Sequence, residues 1–332
     1  MAGAGYRTFQ SGEILTSNNV QTYLMDQAVQ VYAGTAARGS AVPSPSTGMV
    51  AYSTATGLQV FNGSAWTDVG GIGYGAATGG QSTASATIGG TAFTILTFTA
   101  TGTLTNTKAG FFDYLAVGGG GGASNNSSRG AGGGAGQLVI GSVYLDANQT
   151  ITIGGGGSFV ALNSATQGTN TTIAATSPFT QTALGNVGHS TGPSGAYVGG
   201  GQGSVGGATS VAITESTALG YRGGNSGDTN GGGGGGGATG RGGTSVSTTG
   251  GAGGAGFDVS VFIGGSELRK AMGGGGGGQA TGGAAATGGV AGSANTTPSN
   301  GNANSGGGGG GGSGNITTGN GGSGICYIRF RT

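Results

Sequence analysis

The chain has 332 residues, 89 of them glycine, with ten basic and nine acidic side chains, one His, one Cys, one Trp and a formal net charge of +1. Charged residues make up 6 % of the chain, against roughly 25 % in ordinary globular domains, which speaks against a conventional soluble enzyme. The charge balance gives no basic patch for nucleic acid, one Cys gives neither a disulfide framework nor a Cys-based zinc site, and no run of about 18 apolar residues marks a transmembrane helix. The opening Met1-Ala2-Gly3-Ala4-Gly5-Tyr6-Arg7 lacks the basic-then-apolar order of a secretion signal. Collagen is excluded too, because glycine does not recur at every third position and proline is scarce.

Taken in chain order, the first predicted element is a helix. Ser17 or Asn18 can cap it, and Gln21 follows Asn18 by three residues as a loose capping box. Val20, Leu24, Ala28 and Val31 continue at helical spacing with Tyr23 on the same side, and Met25, Val29 and Tyr32 add a second apolar row. Gly34, Gly39, Pro43 and Pro45 stop it. Such a broad apolar face marks Val20, Tyr23, Leu24, Ala28 and Val31 as candidates for anchoring or oligomerisation; the alternative is that the helix covers the small sheet that follows. That sheet reads as a hairpin of residues 49–53 and 58–61, with 54–57 as its turn. Asn62-Gly63-Ser64 is a second turn leading into Ala65-Trp66-Thr67, where Trp66 reads as a core anchor.

Residues 91–99 are rich in Thr, Phe and Ile and read as a strand, and the run Phe111-Phe112-Asp113-Tyr114-Leu115-Ala116-Val117 reads as another. After residue 110 the composition changes. Pure glycine runs recur at 118–122, 132–134, 154–157, 199–201, 231–237, 273–278 and 306–312. Short apolar strands lie between them: 137–140 paired with 142–145, then 150–153, 259–263 and 325–330. A flexible Gly/Ser linker would mix its residues freely and would carry no strands. Runs without side chains can instead lie side by side as three-residue-per-turn helices, and each glycine keeps an N–H to bond a neighbour. The predicted fold is therefore mostly β with irregular structure: a short N-terminal helix and β-hairpin head (1–70), a linker and β-strand bridge (71–110), and a glycine-rich body (111–332) of polyglycine II helices framed by β-strands.

No catalytic constellation stands out. Lys108 precedes Ala109, and Lys270 lies between Arg269 and Ala271, so no Walker-type Gly-Lys-Ser/Thr exists. Glycine motifs carry no weight at this composition, and the acids are scattered rather than paired. Cys326 alternates with apolar residues and reads as a buried small hydrophobe. The loops between glycine runs hold the rare aromatic and charged groups, which makes Phe179, His189, Tyr197, Tyr221 and Arg222 candidate contacts for a ligand.

The body resembles the glycine-rich domain of tailed-bacteriophage tail-fibre adhesins and minor tail proteins. The resemblance rests on Leu115-Ala116-Val117-Gly118-Gly119-Gly120, Gly136-Gln137-Leu138-Val139-Ile140, Thr150-Ile151-Thr152-Ile153-Gly154-Gly155 and the exit segment 321–330. The head is similar to phage tail-protein N-termini through residues 12–16, 19–29, 36–38, 43–45 and 58–66. The resemblance implies a non-enzymatic virion protein without cofactor or metal, a minor tail or tail-fibre protein. It would attach to other virion proteins by its N-terminus and present a glycine-rich tip to a host-surface receptor, a saccharide. It further implies a homotrimer assembled in the host cytoplasm and carried on the tail of the virion, with no nucleic-acid partner and no membrane insertion. The alternative is a capsid decoration protein or head fibre. A depolymerase tailspike is a third reading, against which stand the scattered acids and the absence of β-helix periodicity.

Overall fold

The computed structural model describes residues 11–14, 16–20, 29–54, 56–69, 73–126, 129–161, 164–174, 180–183, 221–226, 230–314 and 316–332. The chain divides into two units, Met1–Gly73 and Tyr74–Thr332.

In the first unit, α1 (Ser17–Val20) forms where the helix was expected to begin. It does not reach Val31. Tyr23, Leu24 and Ala28 lie outside the described residues, and Val31 belongs to a strand, β1 (Gln30–Tyr32). β1 pairs in parallel with β2 (Val50–Ser53), which places Val31 beside Tyr52; the pairing suits a β-branched residue better than a helix does. The described helix that follows is α2 (Thr35–Ala41), which begins directly after Gly34 and runs through Gly39, two of the residues expected to stop the first helix. β2, β3 (Gly57–Phe61) and β4 (Trp66–Asp68) continue the sheet in the order β1-β2-β3-β4. The predicted hairpin is β2–β3, with Tyr52 opposite Leu58. The second turn is held by Asn62, whose Oδ1 accepts from the N–H of Ser64 at 3.0 Å and of Ala65 at 2.9 Å. One face of the sheet is covered by Arg38 of α2, which stacks over the Trp66 ring at 4.5 Å and donates to Gln59, while Gln59 Nε2 donates to Asp68 at 2.7 Å. The other face carries Val31, Tyr52 and Leu58 on β1, β2 and β3, with Val69 beside Leu58 just past the end of β4, every one of them exposed.

The second unit begins with β5 (Ala76–Thr78), β6 (Ser82–Ile88), β7 (Thr91–Phe98), β8 (Gly102–Lys108) and β9 (Gly110–Val117). A two-residue β10 (Asn125–Asn126) precedes β11 (Leu138–Leu145) and β12 (Gln149–Thr152). β13 (Phe159–Ala161), β14 (Ser164–Ala165), β15 (Thr171–Ala174) and β16 (Thr180–Ala183) follow. After a long glycine-rich stretch come β17 (Phe257–Asp258), the helical turn α3 (Ser260–Ile263), β18 (Arg269–Lys270), β19 (Gly312–Ser313) and β20 (Ile325–Arg331). Two antiparallel five-stranded sheets form, in the orders β11-β9-β20-β7-β6 and β16-β15-β12-β8-β5.

Alternation along the strands of the first sheet sorts its side chains into two cores. Leu96, Phe98, Phe112, Tyr114, Ala116, Cys326, Ile328 and Phe330 meet Leu104, Ile151 and Ile173 of the second sheet. Phe93, Ile95, Leu115, Val117, Ile325 and Tyr327 point the other way, against Ala135, Ala238, Ala271, Val259 and Phe262. The first sheet is thus the middle of three layers, with the glycine-rich segments as the third. The expected pair 137–140 and 142–145 is one unbroken strand, β11. Gly141 sits in its middle because Tyr114, directly across on β9, lays its ring there: a Cβ at Gly141 would stand 2.4 Å from the Tyr114 hydroxyl. The strand expected at 259–263 is the turn α3. Asp258 accepts from Ser260 N–H at 3.0 Å, Ser260 O–H at 2.9 Å and Leu268 N–H at 3.0 Å, and this local competition overrides the β-propensity of Val and Ile. Arg329 ties α3 to the sheet, donating to Phe262 O at 2.8 Å and to Asp113 at 3.1 Å, with its guanidinium between the rings of Phe93 and Phe262.

The third layer is a lattice of polyglycine II helices. Successive N–H groups of the run starting at Gly118 turn to three different neighbours in strict rotation. Gly118, Gly121 and Ser124 donate to Gln137, Gly134 and Ala131; Gly119 and Gly122 donate to Thr169 and Thr166; Gly120 and Ala123 donate to Gly322 and Gly319, at 2.8–3.2 Å. The run 273–278 repeats the pattern, with Gly273 and Gly276 donating to Gly254 and Gly251, Gly274 and Gly277 to Gly133 and Gly130, and Gly275 and Gly278 to Val290 and Ser293. Glycine is required here for space rather than for an unusual φ: at Gly132, Gly235 and Gly274 an added Cβ would stand 2.1, 1.9 and 2.0 Å from a neighbour's carbonyl oxygen.

Candidate functional site

Each run of the lattice has one end against the sheet and one away from it. The near end is fixed by Ala135, Ala238 and Ala271, whose methyl groups enter the core with Leu115 and Val117, and by the N–H of Ala238 bonded to Ala271 O at 2.9 Å. At the far end the turns meet in a set of short bridges: Gly130 with Gly277, Gly231 with Gly278, Val246 with Thr249, Thr249 with Thr281, and β10 with β19. Buried hydroxyls close the open backbone groups there. Ser245 Oγ donates to Gly231 O at 2.8 Å, Ser313 Oγ to Gly278 O at 2.9 Å and Thr318 Oγ1 to Ala123 O at 2.6 Å, and Ser124 Oγ accepts from Ala131 N–H at 3.1 Å. The buried Asn125 amide donates to Ile316 O.

Outside these buried pins the rim is exposed. Val246 is 73 % exposed, and Gln279, Thr281, Thr296 and Thr317 are exposed as well. Ser247 and Asn295 hold φ near 52° at the turn corners. The rim offers hydroxyls, amides and small apolar patches on a rigid base, a chemistry suited to hydrogen bonding a polar surface. Among the described residues no group of three His, Cys, Asp or Glu side chains could hold a metal ion. Cys326 is fully buried and burial pushes its thiol far up, while Tyr327 beside it is pushed up to about 12, first by burial and then by the cysteine.

Of the five residues singled out as ligand contacts, Phe179, His189 and Tyr197 lie outside the described residues. Tyr221 and Arg222 are described, and they are not on a distal loop. They begin an extended segment, 221–226, that runs beside 231–237: Tyr221 N–H donates to Gly237 O at 2.9 Å, Gly224 N–H to Gly234 O at 2.8 Å, and Arg222 O accepts from Gly242 N–H at 3.1 Å. Both side chains are half-buried near the sheet end. The structure does not bring them to the rim. The rim residues themselves are readable, since Gln279-Ala280-Thr281 and Ser313 each follow a glycine run directly, Ser124-Asn125-Asn126 follows one after Ala123, and Asn230 precedes one.

A family described as "Glycine-rich domain" matches residues 96–331, from within β7 to the end of β20. No curated protein matches the chain.

Proposed function

We propose, from the premise that the chain belongs to the glycine-rich domain family, that it is a virion protein of a tailed bacteriophage, a minor tail or tail-fibre protein that meets the host surface with the rim of its lattice. The observation that carries this reading is the lattice itself. In the runs 118–124 and 273–278 each N–H is spent on a neighbour, so the turns at the far end sit on a base that their sequences do not have to build. A recognition surface under pressure to vary needs such a separation.

The head supplies the other half of the reading. The exposed row Val31, Tyr52, Leu58 and Val69 is an apolar band across the sheet of the first unit, fit for attachment to another virion protein or to further copies of this chain in a homotrimer. A capsid decoration protein or head fibre would use the same two parts at a different place on the particle.

Phage adsorption tests the reading. Val246→Asp and Thr281→Asp change exposed rim positions without touching the lattice bonds. Particles carrying them are expected to adsorb to host cells more slowly, with the melting temperature of the purified protein unchanged. Antibody label on the capsid rather than the tail, together with unchanged adsorption, would favour the decoration protein. Sedimentation at the mass of one chain would remove the homotrimer.

A further inference from the structure

We propose that the cleft lined by residues 267–270, 272, 287–288, 302–303 and 305, at the sheet end of the lattice, is a binding site for a carboxylated sugar ring. The cleft encloses about 380 Å³, within the roughly 300–1,000 Å³ of small-molecule sites. It is lined by Glu267, Arg269, Lys270, Met272, Thr287 and Asn302, among others.

Charge is the first argument. Ten basic and nine acidic residues are spread over 332 positions, yet Glu267, Arg269 and Lys270 fall within four residues and line one concavity. Glu267 and Arg269 satisfy each other at 2.6 Å. Lys270 has no such match: its Nζ donates to the carbonyl of Asn304 at 2.7 Å, and among the described residues no carboxylate pairs with it. Among the described residues the cleft therefore holds one positive charge without a carboxylate partner. Burial also drives the Lys270 ammonium below its usual value, the mark of a cation removed from water without a counter-ion. A carboxylate in the ligand would supply that counter-ion.

The rest of the lining sets the ligand's body. Asn302 Nδ2 donates to Gly288 O at 2.8 Å, which fixes the amide and leaves its oxygen as an acceptor. Glu267 is more than half exposed and keeps a second carboxylate oxygen beyond its ion pair. Thr287 adds a hydroxyl, while Leu268 and Met272 add an apolar strip. Two acceptors, a hydroxyl and an apolar strip beside one cation match a polyhydroxylated ring that bears a carboxylate. The groups are preorganised as well: Arg269 Nη1 donates to Gly256 O at 2.8 Å, and the Asp258 bonds clamp the loop that carries Glu267.

The test is calorimetric titration of the full chain with a galacturonic acid trisaccharide, a neutral galactose trisaccharide and inorganic phosphate. The uronate is expected to bind at least roughly tenfold more tightly than the neutral sugar, and to lose that advantage in Lys270→Gln. Ala303→Trp, which fills the cleft from an exposed position, is expected to abolish binding while leaving the thermal midpoint in place. Equal binding of the two sugars, uronate binding unchanged in both variants, or phosphate binding as tightly as the uronate would each overturn the proposal. It is independent of the host-surface reading, because Val246→Asp at the far rim is expected to leave uronate binding intact; loss of binding there would also count against it.

Discussion

A single methyl group on Gly235 would stand 1.9 Å from the carbonyl oxygen of Gly133, inside the lattice where neither backbone can give way. At Gly155 the same methyl would meet nothing closer than Thr169 Oγ1 at 3.8 Å. The two alanine variants therefore separate space from composition. Gly235→Ala is expected to cost about 3 kcal/mol or more, and Gly155→Ala to change stability by less than about 1 kcal/mol, with a gain if anything; urea titration reads both. A second residue-scale prediction concerns the seam between sheet and lattice. Thr171 is fully buried, donates to Val117 O at 2.7 Å and accepts from Gly154 N–H at 3.1 Å. Thr171→Val keeps the shape and strands both partners, so a loss of about 2 kcal/mol or more is expected in the same titration.

Among the elements, the connection from β17 to β18 depends on one carboxylate. Asp258 is held below its ordinary 3.8 by the N–H of Leu268, then by the N–H and O–H of Ser260. Its folded value is the lower one, so its contribution is complete above the unfolded value and is lost as pH falls through the folded value. The amides of Ser260 and Leu268 are expected to keep their exchange protection at pH 5 and lose it below about 3.8, and Asp258→Asn to weaken it at neutral pH; proton exchange by nuclear magnetic resonance measures this. The same loop shows where sequence reading stops. β7, β9, β12 and β20 follow from β-branched and aromatic runs, and each stands within a residue or two of its expected place. α3 does not follow, because three bonds to one aspartate outweigh a Val-Ser-Val-Phe-Ile run. Nor does the continuity of β11, because the reason for Gly141 is a tyrosine on another strand. At the head, Val31 joins a strand for the sake of Tyr52, a partner on the next strand, which helical spacing cannot reveal. At the candidate site, polar residues flanking glycine runs were legible as turns, but which turns share an end depends on the direction of each run.

At the largest scale, the three layers of the second unit share one middle sheet, and among the described residues the lattice buries few apolar side chains of its own beyond alanines, Met272 and Val290. Its order rests on hydrogen bonds in three directions and on the core it shares with Leu115, Val117 and Tyr327. Amide exchange in the runs 118–124, 132–136, 232–238 and 273–278 is therefore expected to be as slow as in β9 and β20, and to rise together with theirs under denaturant. Runs that exchange at random-coil rates while the sheets stay protected would show that the lattice is not a cooperative part of the unit.

β20 lies between β9 and β7 at the centre of the middle sheet, yet it is synthesised after every run of the lattice. While the ribosome works through those runs, the sheet they must rest on has a gap where β20 will go. Nascent runs without side chains can gain little by collapse, and their partners in sequence are far away. Folding of this unit thus waits for the arrival of one seven-residue strand, and a chain stopped short of residue 325 would be a substrate for proteolysis rather than a shorter version of the same display.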